Sequence, residues 1–249
     1  MRRGLTAFLT AEWRFLALLN YEIDPSLLRS YTPAGTELDS WNGKTFVSVV
    51  GFLFLDTKLF GLPIPFHRNF EEVNLRIYVR RKAAGEWRRG VVFVKEIVPS
   101  TAIAWTARLF YNENYVALPM RHTVEQPLHD PDTRRVAVEY RWLFQRQWNR
   151  LRVETAGAPR AMGAGTEEEF ITEHYWGYAK QRDGGTVEYQ VEHPRWQVWQ
   201  AQKAELKCAA AALYGPEFSG ALAGKPSSAF LADGSAVTVR KGSRLQTIA

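Results

Sequence analysis

The stretch Phe70–Arg80, with the sequence FEEVNLRIYVR, decides the fold. Side chains along a β-strand point alternately to its two faces, and here one face is apolar while the other carries polar groups. The apolar face holds Val73, Leu75, Ile77 and Val79, and the mixed face holds Glu72, Asn74, Arg76 and Tyr78. We predict a strand, and if its polar face points into a closed sheet, the groups on it must be paired or hydrated.

The sequence on either side of this strand predicts a mostly β protein. Residues 91–98 are the expected hairpin partner, and residues 45–55 form a core strand after the Asn42-Gly43 turn. Further strands are predicted at residues 102–110, 136–148, 150–155, 170–180, 186–192 and 236–239, the last of them after a turn at residues 233–235.

Two segments have helical character. Residues 24–29 combine an N-cap aspartate with a proline at the first helical position, which predicts a short helix. Residues 201–214 are rich in alanine and favour a helix, although a strand that runs into a short helix stays open. Strand patterning resumes beyond the Gly- and Ala-rich turn at residues 157–165, so we expect one domain over residues 1–249.

Composition narrows the class of protein. A chain of 249 residues with 46% hydrophobic residues is long enough for one large β domain. The net charge of +6 is spread along the sequence and argues against a nucleic-acid partner. We read no signal peptide and no membrane segment. The single cysteine excludes an internal disulfide and favours the cytoplasm. A homo-oligomer stays open, because the sequence does not reveal the oligomeric state.

Motifs for common catalytic and cofactor chemistry are missing from the sequence, which has no phosphate-binding glycine loop, dinucleotide fingerprint or GxSxG elbow. The histidines have no metal-ligand spacing, so we expect neither a metal nor a cofactor. What remains is a set of polar segments in apolar surroundings, at residues 67–76, 111–122 and 173–178.

These segments resemble the YqjF-like family of uncharacterised bacterial proteins over nearly the whole chain. The resemblance is carried by FHRNFEEVNLR at residues 66–76, YNENY at 111–115, EHYWG at 173–177, VEHP at 191–194 and LADGS at 231–235. The family is similar in fold to acetoacetate decarboxylase. This resemblance implies a mainly β fold, a single antiparallel β-barrel with an internal cavity and a few short flanking helices.

The resemblance also implies a difference from the decarboxylase, in which a lysine after a proline forms an imine with a β-keto acid; acetoacetate decarboxylase is itself a standard example of such a lysine. Aligning that proline with Pro119 puts Met120 at the position of the lysine and Asn114 where a glutamate is expected. A thioether cannot condense with a ketone. Lys95 stays open as a substitute, if it points inward and loses its hydration.

The leading interpretation is a barrel that binds a small anionic or carbonyl-containing molecule, and whether it is an enzyme is left open. The candidate ligand-binding residues are Arg68, Asn74, Arg76, Asn114, Met120 and Arg121, and the candidates for proton transfer are Glu72, Glu113, His67 and His174. The alternative is a non-catalytic binding or structural protein whose interior polar groups satisfy one another.

Overall fold

The computed structural model of the protein describes residues 7–65, 67–103, 114–125 and 135–245. The strands are β1 (Ala7–Glu22), β2 (Glu37–Leu38), β3 (Phe46–Leu59), β4 (Leu62–Pro63), β5 (Phe70–Ala83), β6 (Glu86–Val98), β7 (Tyr115–Ala117), β8 (Met120–Glu125), β9 (Ala137–Phe144), β10 (Gln147–Thr155), β11 (Arg160–Ala161), β12 (Trp176–Lys180), β13 (Thr186–Glu192), β14 (Gln197–Lys207), β15 (Ser228–Arg240) and β16 (Ser243–Arg244). The α-helices are α1 (Glu167–Thr172), α2 (Ala210–Tyr214) and α3 (Ser219–Ala223), and 3-10 helices lie at Pro25–Tyr31 and Pro216–Phe218.

Seven of the strands close into a barrel in the order β15-β1-β3-β5-β6-β12-β13, because β13 pairs back onto β15. All neighbours in this ring are antiparallel except β6 and β12, which are parallel, with Trp176 opposite Gly90. The mainly β barrel is therefore confirmed, and its purely antiparallel character is not. A parallel pair needs a long crossover, and the chain between β6 and β12 supplies one.

That crossover builds part of a second sheet, with strand order β14-β10-β9-β8, which joins the barrel through the pairing of β14 with β15. The second sheet covers one side of the barrel. Tyr140 of β9 donates a hydrogen bond to the carbonyl of Phe15 on β1 at 2.8 Å. A β-carbon on Gly51 of β3 would lie 2.5 Å from the Tyr140 ring, so a glycine is needed where the two layers approach.

Both faces of β5 are consequently buried. Its apolar face packs with Val138 and Trp142 of the second sheet in an outer core, and its polar face points into the barrel. The predicted strand and its hairpin with β6 are both confirmed. The inner core contains Leu16, Leu18, Val50, Phe52, Phe54, Phe70, Tyr78 and Phe230.

Helix α1 closes one end of the barrel and corrects the predicted strand at residues 170–180. Its Phe170 and Ile171 are buried in the inner core. Thr166 caps the helix by accepting a hydrogen bond from the backbone N–H of Glu169. The Thr-x-x-Glu pattern is the sequence signature of a capping box, and this helix start outweighs the strand propensity of the residues that follow. Only residues 176–180 are a strand, and their hairpin with residues 186–192 is confirmed.

The C-terminal third also differs from the expected pattern. The alternative of a strand running into a short helix is confirmed for residues 201–214, as β14 followed by α2. The turn predicted at residues 233–235 is wrong, because β15 runs through it without interruption. Gly234 takes a φ of +79° there, and a β-carbon on it would lie 2.0 Å from the Trp13 carbonyl oxygen. Its glycine therefore serves a close strand contact and not a turn.

Most of the strand predicted at residues 102–110 falls outside the described residues. In the part of the chain that the structure describes, no helix combines the length and the apolar character that crossing a membrane requires.

Candidate functional site

The barrel encloses a cavity of about 190 Å³. Its walls are mostly aromatic and aliphatic, and Glu72, Arg76 and Glu96 of its lining lie on β5 and the adjoining β6. The apolar lining includes Phe8, Trp13, Leu16, Val50, Phe52, Phe54, Phe70, Val91, Phe93, Trp176, Tyr189 and Trp196. A mostly apolar cavity with a few convergent polar groups is typical of a small-molecule site.

Side chains on the polar face of β5 lie at successive positions along the cavity, from the end near His67 to the end near helix α1. At one end Phe70 stacks on Phe54 at 4.7 Å, next to the loop that carries His67. At the other end the Tyr78 ring lies 5.4 Å from Phe170 of helix α1. Strands rise about 3.3 Å per residue, so Glu72 and Arg76 are separated by roughly 13 Å along this wall.

Glu72 is a buried carboxyl group near the His67 end. It is 2% exposed, and its Oε1 accepts a hydrogen bond from Asn74 Nδ2 at 3.0 Å. The hydroxyl of Tyr115 lies 3.4 Å from Oε2. Burial raises the pKa of Glu72 to about 7, and the hydrogen bonds from Asn74 and Tyr115 only partly oppose this shift. The group can therefore donate or accept a proton near neutral pH.

Glu96 of β6 brings a second carboxylate to the same wall. It pairs with Asn74 across the hairpin, is 2% exposed and lines the cavity. Glu96 is not among the predicted site residues. A β-bulge at Val94 shifts the alternation of β6, so that Phe93 faces Arg76 while Lys95 is opposite Leu75. This shift turns Glu96 inward and places Lys95 on the side of the outer core.

Arg76 lines the cavity and lies between Asn74 and Tyr78 on β5. Its Nη2 donates a hydrogen bond to the Ile171 carbonyl at 3.0 Å, and its Nε donates to the Tyr78 hydroxyl at 3.3 Å. Both acceptors are neutral. Among the described residues Arg76 forms no ion pair, so no carboxylate lies within 4.0 Å of its guanidinium group.

His174 follows helix α1 and reaches the cavity with a side chain that is 2% exposed. Its Nε2 lies 3.7 Å from Oδ2 of the buried Asp39, which Arg89 contacts at 2.7 Å. Burial lowers the pKa of His174 to about 4, although Asp39 opposes the shift, so the ring is neutral at pH 7. Within the described ranges, neither ring nitrogen has a hydrogen-bond partner, and neither does Asn74 Oδ1.

A chain of hydrogen bonds leads from the cavity across the barrel interior. Tyr78 OH lies 2.6 Å from Ser48 Oγ, which donates to Asn20 Oδ1 at 2.6 Å. Asn20 Nδ2 in turn donates to Ser228 Oγ at 2.9 Å, and Ser228 donates to Glu167 at the start of helix α1. These polar groups are paired with one another, as the alternative interpretation expects.

The predicted site residues divide into two groups. The structure brings together Glu72, Asn74, Arg76, His67 and His174 around the cavity. His67 lies in the loop before β5, with its Nε2 2.6 Å from Ser100 Oγ. The others, where described, lie elsewhere.

The four remaining ligand-binding candidates lie outside the cavity lining. Arg68 is exposed and pairs with Asp56, and Arg121 lies over the Trp148 ring on the second sheet. Asn114 donates to the Val94 carbonyl at 2.8 Å. Met120 is on β8 and packs against the outer core, so it does not line the cavity. Glu113 lies outside the described residues.

Every lysine of the chain falls within the described residues, and none of them is among the cavity-lining side chains. The cavity is also lined by Tyr115, Thr172, His193 and Trp196, which are not among the predicted site residues. The strings HP at residues 193–194 and YWG at residues 175–177 are part of the family resemblance. They do not indicate which side chains point into the barrel. No cluster of three or more metal-binding side chains occurs among the described residues.

Comparison with known families decides where the chain belongs. The sequence profile of the DUF2071 family, described as "Uncharacterized conserved protein", matches residues 10–236. The chain belongs to the DUF2071 family. This DUF2071 protein is also 30% identical over 110 residues to "Uncharacterized protein YqjF" of Bacillus subtilis (strain 168). That match spans 44% of this chain and 44% of the Bacillus protein.

Solved structures similar to this DUF2071 protein share the decarboxylase fold. Acetoacetate decarboxylase from Legionella pneumophila has a TM-score of 0.65 at 16% identity, over 98% of this chain and 90% of that one. An acetoacetate decarboxylase-like enzyme from Sphingomonas wittichii RW1 has a TM-score of 0.65 at 15% identity, over 97% and 94%. The enduracididine biosynthesis enzyme MppR, complexed with a condensation product of pyruvate and imidazole 4-carboxaldehyde, reaches 0.67 at 10%, over 98% and 92%.

Proposed function

We propose that this protein binds a small carboxylate-bearing or carbonyl-containing molecule in its barrel, with Arg76 as the anion contact. One observation carries the proposal. The Arg76 guanidinium lies on the wall of a mostly apolar cavity, and its acceptors among the described residues are the neutral groups Tyr78 OH and Ile171 O. A cation in such surroundings is costly without a counter-charge, and a bound carboxylate would supply one.

Proton transfer is the chemistry that the neighbouring groups favour. Glu72 has a pKa of about 7 because it is buried, so it can exchange a proton with a ligand held near it. His67 and His174 are further candidates. We propose no imine step, since each lysine of the chain lies outside the cavity lining. In this respect the protein would differ from the decarboxylase.

The second candidate is a non-catalytic protein whose interior polar groups satisfy one another. The paired chain from Tyr78 through Ser48 and Asn20 favours it. The unpartnered Asn74 Oδ1 and His174 nitrogens favour the binding protein, because buried polar atoms without partners among the described residues cost stability unless a ligand or water completes them. For both candidate functions we propose a cytoplasmic location, which the single cysteine supports.

Ligand-induced thermal stabilisation tests the proposal. Pyruvate, acetoacetate and 3-methyl-2-oxobutanoate would be added to the wild type, to Arg76→Met and to the matched control Arg121→Met, whose arginine lies on the second sheet. A ligand that binds only the native state raises the melting temperature with concentration. We expect a rise in the wild type and in Arg121→Met and none in Arg76→Met.

An equal rise in Arg76→Met would overturn the proposal, and so would the absence of a rise with these three acids and with their 2-hydroxy counterparts. Borohydride treatment with the same acids tests the chemistry separately. We expect no added mass on any lysine, and a reduced adduct on a lysine would contradict the absence of an imine step.

A further inference from the structure

Two buried side chains that line the cavity near Arg76 each carry a hydrogen-bond acceptor with no partner among the described residues. The first is Asn74 Oδ1. The side chain is 2% exposed, its Nδ2 is committed to Glu72 at 3.0 Å, and Oδ1 has no partner among the described residues. An amide oxygen can accept but never donate, so only a donor can satisfy this atom.

The second acceptor belongs to His174. The carboxylate of Asp39 faces Nε2 at 3.7 Å and assigns the imidazole proton to that nitrogen. Nδ1 then carries a lone pair, and it too is buried without a partner in the described ranges. The charged groups facing the ring are Asp39, Arg89 and Arg76, and none of them can donate to Nδ1 at a hydrogen-bond distance in this structure.

Arg76 lies between these two acceptors. Asn74 is two residues nearer the His67 end of β5, and Tyr78, whose ring is 4.8 Å from His174, is two residues nearer helix α1. Residues two apart on one face of a strand are about 7 Å apart. A carboxylate bound by Arg76 would therefore have its second and third carbons in the part of the cavity lined by Asn74 and His174.

Donor and acceptor chemistry then separates two kinds of acid. A ketone oxygen has only lone pairs and would face the lone pairs of these two atoms. A hydroxyl group on the same carbon can donate to either atom. The walls opposite β5 are formed by side chains such as Trp13, Phe52 and Phe54, which favour a ligand whose remaining body is apolar.

We propose that the ligand is a hydroxycarboxylate, with its hydroxyl group on the second or third carbon and an apolar body. This inference rests on the proposed function, since it requires the carboxylate to be held by Arg76. It names a ligand class that is distinct from the keto acids used to test that function.

Paired ligands test the inference by isothermal titration calorimetry. The pair is 2-hydroxy-3-methylbutanoate, as both enantiomers, and 3-methyl-2-oxobutanoate, which share a carbon skeleton. We expect the better enantiomer to bind the wild type at least about 10-fold more tightly than the keto acid, as one satisfied buried acceptor predicts. We also expect 3-phenyllactate to bind more tightly than lactate, because its ring can fill the apolar wall.

Variants locate the effect. Asn74→Leu removes the acceptor, and we expect it to reduce the preference for the hydroxy acid over the keto acid to below about 3-fold. His174→Phe removes the other acceptor, and we expect it also to reduce the preference for the hydroxy acid. It serves as the test if Asn74→Leu does not fold. Equal binding of the two acids, or tighter binding of the keto acid, would overturn the inference about the hydroxyl group. The proposed function would still hold in that case if binding depends on Arg76. Loss of binding of both acids in the wild type would overturn both.

Discussion

The Asn74 side-chain amide donates a hydrogen bond to Glu72 at 3.0 Å, and both side chains lie buried on the cavity wall. This amide separates Glu72 from Arg76, which attracts the carboxylate without forming an ion pair with it. Burial therefore dominates the ionisation of Glu72. The cavity holds an acid that is close to half-protonated at neutral pH, beside a guanidinium group with neutral partners.

The raised pKa of Glu72 predicts a stability change with pH. Between its ordinary value of 4.5 and about 7, the native protein binds more protons at this group than the unfolded chain does. The contribution of Glu72 to the free energy of unfolding is thus full below pH 4.5 and is lost as the pH rises through 7. We expect Glu72→Gln, relative to wild type, to gain a few kcal/mol between pH 4.5 and 7.5 in urea denaturation. Glu205→Gln, at an exposed carboxylate, is the control, and curves for Glu72→Gln and wild type that stay parallel would contradict the assignment.

His174 predicts the opposite slope. Its pKa is about 4 in the native protein and 6.5 in its ordinary state, so as the pH falls the unfolded chain takes up the proton first. The stability that the neutral ring contributes is present above pH 6.5 and is lost as the pH falls through 4. We expect His174→Phe to lose less stability than wild type between pH 6.5 and 4.5, measured by thermal denaturation. A His174→Phe curve with the wild-type slope would refute the depressed pKa.

Ser48 joins the two halves of the interior hydrogen-bond chain. Removing its hydroxyl takes a partner from both Asn20 Oδ1 and Tyr78 OH in a fully buried location. We expect Ser48→Ala to lower the free energy of unfolding by about 1–3 kcal/mol in urea denaturation. Ser243→Ala at an exposed strand position should change it by less than about 0.5 kcal/mol. An unchanged free energy of unfolding in Ser48→Ala would show that these hydrogen bonds contribute nothing to stability.

Alanine substitutions at Gly234 and Gly43 distinguish the cost of a steric clash from the cost of backbone strain. Both have positive φ, +79° and +77°, but only at Gly234 would a β-carbon meet another atom, the Trp13 carbonyl oxygen at 2.0 Å. Gly43→Ala should cost about 1 kcal/mol from the backbone conformation. We expect Gly234→Ala to cost at least about 2 kcal/mol more, because β1 and β15 must move apart. Similar melting temperatures for the two variants would argue against the close approach.

The sequence predicted those features that depend on regular alternation. The β5 strand, its hairpin with β6 and the inward position of Glu72, Asn74 and Arg76 follow from a period of two residues. Glu96 and Lys95 were missed or misplaced because one bulge reverses the alternation, and a bulge has no reliable signature in a single sequence.

Charge in a polar loop was a weaker guide to the site. Arg68 is adjacent in sequence to His67, which lines the cavity, but its guanidinium pairs with Asp56 at the surface. Asp39, which lies behind His174, is far from it along the chain and is brought there by the pairing of β2 with β5. Convergence of this kind depends on tertiary topology, which local patterns do not encode.

The pairing of β1 with β15 has a consequence for how the molecule is made. Ala7 is registered against Arg240, so the seam of the barrel joins segments separated by more than two hundred positions. During synthesis the β1 edge stays open until β15 has emerged, and a protein dominated by such distant pairings folds slowly. The nascent chain therefore passes through a stage with an exposed, largely apolar edge, at which chaperone capture or misassembly would be expected to compete with closure.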